Sequence, residues 1–90
     1  MMDKQVLQAL SSDLKRVCLS IQKGSNTTAE TFSNEAMGWL NEAEKTIKNP
    51  NTQDLIKKAK VTLTEKNDLA KAEECLMYSV LFQNRSFSLK

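Results

Sequence analysis

Apolar residues recur along this chain at steps of three and four, the spacing that one face of an α-helix produces. In the first segment they cover about 120° of a helical wheel, a normal width for a stripe that faces a core. They are Val6, Leu7, Leu10, Leu14, Val17, Cys18 and Ile21. The pattern predicts a first helix over about residues 4–23, and Gly24 follows where a left-handed residue would end it.

A second helix is predicted over about residues 28–48. Thr27 stands three residues before Glu30, which is the spacing of a capping box at the start of a helix. The apolar residues of this segment share one face, and they are Phe32, Ala36, Trp39, Leu40, Ala43 and Ile47. Pro50 ends the helix, because the residue before a proline avoids helical backbone angles.

The segment 52–83 is predicted to form two helices, over about 52–66 and 68–83, because Asn67 and Asp68 favour a turn. A single bent helix is the alternative. Asn51 or Thr52 would cap the first of the two helices. Residues 84–90 are expected to form a short tail. These elements predict an all-α, up-down bundle of three to four helices, with residues 1–83 as its single domain.

The last helix is the most apolar part of the chain, with seven apolar residues among the eight from Cys75 to Phe82. We expect one of its faces to lie in the core, and the residues on that face are Leu69, Ala72, Leu76 and Val80. The remaining large residues are the candidate partner-binding surface, and they are Met77, Tyr78, Leu81 and Phe82. A helix that is apolar on every side must be buried on every side. It is therefore either the central helix of the bundle or covered by a second chain.

Six large residues are expected in the core: Leu10, Leu14, Phe32, Trp39, Leu40 and Leu76. Trp39 is expected to be buried because it lies in the apolar stripe of the second helix. Cys18 and Cys75 are expected to be reduced, buried thiols, and a Cys18–Cys75 disulfide is the alternative. Without an apparent export signal or a membrane-spanning apolar run, these thiols favour a cytoplasmic protein.

The composition argues against catalysis. The 90 residues include no histidine, which is the usual general base near neutral pH and a common zinc ligand. Two glycines are too few for a glycine-rich phosphate loop. Glu35 and Glu42 share a helix face but have no recognisable third ligand nearby in the sequence. We therefore predict no catalytic residue, cofactor or metal site, and expect that the protein is not an enzyme.

The charge leaves a second function class open. The net charge is +2, and most of the excess comes from five lysines of the second half. They are Lys57, Lys58, Lys60, Lys66 and Lys71. A nucleic-acid-binding regulator would use them to contact phosphates, although such proteins usually carry a stronger basic bias and more arginine.

Residues 56–84 resemble the helix pair of tetratricopeptide repeats over about a third of the chain. The resemblance rests on the spacing of Ile56, Ala59, Leu63, Ala72, Leu76 and Ser79 around the Asn67–Asp68 turn. The first half departs from this spacing, so we assign no family. The sequence best fits a non-enzymatic protein-interaction module, either a homodimer or a small adaptor or chaperone-like subunit of a larger partner.

Overall fold

The computed structural model describes residues 2–88, which form four helices and no strand. The helices are α1 (Met2–Gln22), α2 (Asn26–Thr46), α3 (Pro50–Leu63) and α4 (Asp68–Ser88). The predicted all-α class is therefore confirmed. Two separate helices, rather than one bent helix, follow Asn49.

Each helix packs against the next one in chain order, and α4 closes the bundle against α1. In the described range α1 packs against α2 and α4, α3 packs against the same two helices, and neither diagonal pair is in contact. Connections of three or four residues make successive helices antiparallel neighbours. The resulting bundle measures 37 × 19 × 18 Å, so its long dimension follows the helix axes.

The end of α1 forms as the sequence predicts. Gly24 has φ +76°, the left-handed region that glycine enters without a steric penalty. The Gly24 amide donates to the carbonyl oxygen of Ile21 at 3.0 Å, and the Ser25 amide donates to that of Ser20 at 2.9 Å. These two bonds make a Schellman motif, which satisfies two of the last free carbonyls of the helix.

The start of α2 differs from the prediction. The helix begins at Asn26, and Ser25 is its N-cap without a side-chain hydrogen bond to the first turn. The Thr27–Glu30 capping box does not form, because both residues already lie inside the helix. At the other end, α2 stops at Thr46, and the Gln53 side-chain amide of α3 donates to the carbonyl of Glu44 at 3.0 Å.

The cap of α3 is Asn49, not Asn51 or Thr52. Its Oδ1 accepts hydrogen bonds from the amides of Asn51 at 2.9 Å and Thr52 at 3.1 Å. Pro50 is the first residue of this helix, a position where its missing amide hydrogen costs no bond. The same proline thus separates α2 from α3 and begins α3.

The predicted C-terminal tail is also wrong over most of its length. Helix α4 continues past Gln83 to Ser88, so residues 84–88 belong to the helix. Residues 89 and 90 lie outside the described range. Asn67 caps the N-terminal end of α4, since its Oδ1 accepts a hydrogen bond from the Ala70 amide at 2.9 Å.

The core runs along the inside of all four helices. Its largest fully buried side chains include Leu7, Leu10, Leu14, Leu40, Ile56 and Phe82. Leu10, Leu14 and Leu40 are thus confirmed as core residues. Trp39 and Leu76 are not, because 37% and 43% of their surfaces remain exposed. Phe32 is partly buried, and the Arg16 guanidinium carbon lies 5.4 Å from the centre of its ring.

Candidate interaction surface

Helix α4 turns a stripe of mostly small residues toward the core. The buried residues of this stripe recur at steps of three and four, and they are Ala72, Cys75, Ser79, Phe82 and Ser86. Small side chains allow two helix backbones to approach closely. At this interface the Ser11 hydroxyl of α1 donates to the carbonyl oxygen of Ser79 at 2.7 Å. The close packing of α1 against α4 therefore determines which face of α4 lies in the core.

This packing divides the predicted partner-binding residues into two pairs. Met77 and Leu81 are exposed, as a partner-binding surface requires. Tyr78 is 9% exposed and Phe82 is fully buried, so both belong to the intramolecular core. Their assignment to the outer surface is wrong, because both lie on the side of α4 that faces the bundle.

The predicted core face of α4 is instead largely outside. Leu69 and Val80 are exposed over 70% and 48% of their surfaces, and Leu76 is similarly exposed. Only Ala72 of that predicted face is buried. The exposed large apolar residues define what we call the α4 surface: Leu69, Leu76, Met77, Val80, Leu81 and Phe87.

The α4 surface is continuous and almost uncharged. At 100° per residue, its six side chains fall within an arc of about 140° on one side of the helix. Within the described part of α4, Glu73 is the one charged residue on this arc. Since α1 and α3 both pack on the opposite side, no other described helix covers it. Val61, by contrast, is an isolated exposed residue on the outer side of α3.

The five candidate nucleic-acid-binding lysines lie on α3, on α4 and in the turn between them. Lys58 is paired with Asp54 at 2.9 Å, and Lys60 is paired with Glu44 of α2 at the same distance. The Asp54 carboxylate raises the pKa of Lys58, through a hydrogen bond and its charge. Lys57 and Lys66 are exposed, whereas Lys71 is half-buried on α4.

A second feature lies between α1 and α2. Trp39 forms one wall of an open groove of about 590 Å³, with Val6, Gly38, Glu35 and Glu42 as its other lining residues. The two glutamates that share a helix face therefore both line this groove. The described residues contain no group of three histidine, cysteine, aspartate or glutamate side chains arranged to hold a metal ion.

Both cysteines are free thiols, and both are buried. Burial raises the pKa of the Cys75 thiol to about 11, and burial likewise raises the pKa of Cys18. A thiol with such a pKa is largely protonated at neutral pH and is a poor nucleophile. The cysteines thus act as small core residues, and the alternative disulfide is absent from the structure.

Comparison of the chain with known protein families, curated proteins and solved structures finds no significant match. Among residues 2–88, no helix combines the length and the apolar character needed to cross a membrane.

Proposed function

We propose that this protein is a non-enzymatic interaction module that associates with a second copy of itself through the α4 surface. The single observation that supports this is the exposure of six large apolar side chains along one side of one helix. Contiguous apolar surface of this kind commonly marks a site of protein–protein interaction.

Association is favoured because the apolar side chains of the α4 surface are exposed to water in the single chain. Complete burial of one large apolar side chain contributes roughly 1.5–3 kcal/mol. A two-fold dimer uses the same patch on both chains, so each side chain that a partner covers counts twice. Met77 suits such a surface, because its unbranched side chain adapts to an opposing one.

The remaining chemistry fits this role. The protein's buried thiols are unreactive core groups, which suits a reducing compartment, and we place it in the cytoplasm. We assign it no cofactor or substrate. Two of the five lysines are engaged by carboxylates, so nucleic-acid binding gains no support from a specific contact.

The test is the mass of the protein in solution. Sedimentation equilibrium from about 10 µM to about 1 mM should show a mass that rises from 10.2 kDa toward twice that value. The double variant Leu76→Lys, Val80→Lys should raise the dissociation constant at least about tenfold. Because both positions are exposed, its helical circular dichroism should match that of the wild type.

Val61→Lys is the matched control, because it also replaces an exposed apolar residue by lysine but lies on α3. This variant should associate as the wild type does. The proposal is wrong if the wild type remains at the monomer mass at about 1 mM. It is also wrong if Val61→Lys and the double variant weaken association equally.

A further inference from the structure

The exposed side of α4 carries a complete heptad pattern. Its residues recur at steps of four, three, four, three and four, and all six are exposed: Leu69, Glu73, Leu76, Val80, Gln83 and Phe87. They fall within an arc of about 80°, which is the narrow seam of a two-helix coiled coil. The seam extends over 19 residues, from Leu69 to Phe87, or about 27 Å at the rise of an α-helix. It therefore follows most of the 37 Å length of the bundle.

The arrangement of apolar and polar residues in this seam is symmetric. The four apolar positions are separated by seven, four and seven residues, so their order is the same from either end. Suppose that two copies of α4 pair antiparallel, with the two-fold axis at the level of residue 78 along the helix. Leu69 would then lie against the partner's Phe87. Leu76 would then lie against the partner's Val80. Every apolar residue of the seam thus meets another apolar residue.

The polar positions also match in this register. Glu73 would lie opposite the partner's Gln83, whose amide can donate to the carboxylate. A parallel pair would instead place Glu73 opposite the partner's Glu73, and like charges across a helix pair are unfavourable. The position of Glu73 therefore favours antiparallel over parallel pairing of the two helices, whereas the apolar residues fit both.

We infer that two copies of the chain pair through α4 in an antiparallel coiled-coil register, with a two-fold axis near Tyr78. The inference rests on the proposed function, since it assigns a geometry to the same surface. Met77 lies beside the axis, next to its own counterpart. An antiparallel pair also places the two bundles on opposite sides of the α4–α4 contact.

Substitution of Gln83 tests the register. In the antiparallel pair, Gln83→Lys faces the partner's Glu73 twice, once on each side of the axis. Exposed pairs of this kind are weak individually, so we expect a dissociation constant about two- to tenfold lower than that of the wild type. Gln83→Glu should raise it by a similar factor. Both effects should diminish at about 1 M salt, which screens exposed charges.

A matched control is Gln22→Lys, which adds the same charge at an exposed position of α1. It should not tighten association. If Gln83→Lys weakens the dimer while Leu76→Lys, Val80→Lys still raises the dissociation constant at least about tenfold, the α4 surface is the interface but the antiparallel register is wrong. If the double variant leaves the mass unchanged, or the wild type is a monomer, the proposed function itself fails.

Discussion

Asp13 has a buried carboxyl group whose environment disfavours its charge. Its carboxyl group is buried in the α1–α2 interface, where its Oδ1 lies 3.6 Å from Arg16 Nη1. Its Oδ2 has no hydrogen-bond partner of good geometry. Burial raises the pKa of Asp13, and the neighbouring Glu35 carboxylate raises it further, whereas Arg16 and Trp39 lower it. The net direction is upward, so ionisation of Asp13 opposes folding.

We predict that Asp13→Asn stabilises the protein at pH 7. A carboxyl group whose pKa is higher in the folded state stabilises that state only while it is protonated. This contribution is lost as the pH rises from the ordinary value of 3.8 through the folded-state pKa. The stability gap between Asp13→Asn and the wild type should therefore close as the pH falls toward 3. Urea unfolding at a series of pH values measures it.

Asp54→Asn is the control for this prediction, because the Asp54 side chain is exposed and forms a surface pair with Lys58. Surface pairs contribute roughly 0–1 kcal/mol, so its loss should bring no gain in stability. A lower stability of Asp13→Asn at pH 7 would show that the Arg16 ion pair outweighs the burial of the carboxylate.

At the scale of the helix, the caps differ in how much they stabilise. Asn49→Ala removes an oxygen that accepts two amide hydrogen bonds at the start of α3. We predict a loss of about 0.5–2 kcal/mol in the free energy of unfolding, the range for such caps. Thr27→Ala, at the capping box that does not form, is the matched control and should be close to neutral. Equal losses in chemical denaturation would contradict this assignment.

Two helix boundaries were predictable, because each depends on a local backbone requirement. Gly24 provides a left-handed residue, and Pro50 restricts the residue before it. The α2 cap was missed because a Ser–Asn–Thr–Thr run offers several competing capping residues within one turn. The error at the end of α4 has a similar cause, since nothing near Gln83 forbids another helical turn.

The orientation of α4 was harder to predict, because both of its faces have helical periodicity. One stripe contains large apolar residues such as Leu69 and Leu76, and the other contains small ones such as Ala72 and Ser79. Hydrophobicity favours the first stripe for the core, whereas close helix approach favours the second. The sequence carried the relevant signal, since antiparallel helices need small residues where they meet. Met77 and Leu81 were therefore correctly predicted to lie outside the core, while Tyr78 and Phe82 were not.

The whole molecule has the dimensions of an ordinary folded domain. Its radius of gyration is 12.1 Å, against about 12 Å expected for a chain of this length. Its accessible surface is 5522 Å², against about 5,300 Å² expected for its mass. The bundle is therefore closed without a partner. What is unusual is the distribution of apolar surface, which is concentrated along α4.

Association should consequently be visible in the thermal stability. A second copy that binds only the folded chain stabilises it in proportion to the logarithm of protein concentration. Once dimers predominate, each tenfold rise in concentration should raise the Tm by about 3–5 °C for a domain of this size. The variant Leu76→Lys, Val80→Lys should show a smaller rise over the same range, because its dimers form only at higher concentration. Calorimetric scans of both proteins over the same range measure the difference, and a constant wild-type Tm up to about 1 mM would mean that the α4 surface does not hold a second copy.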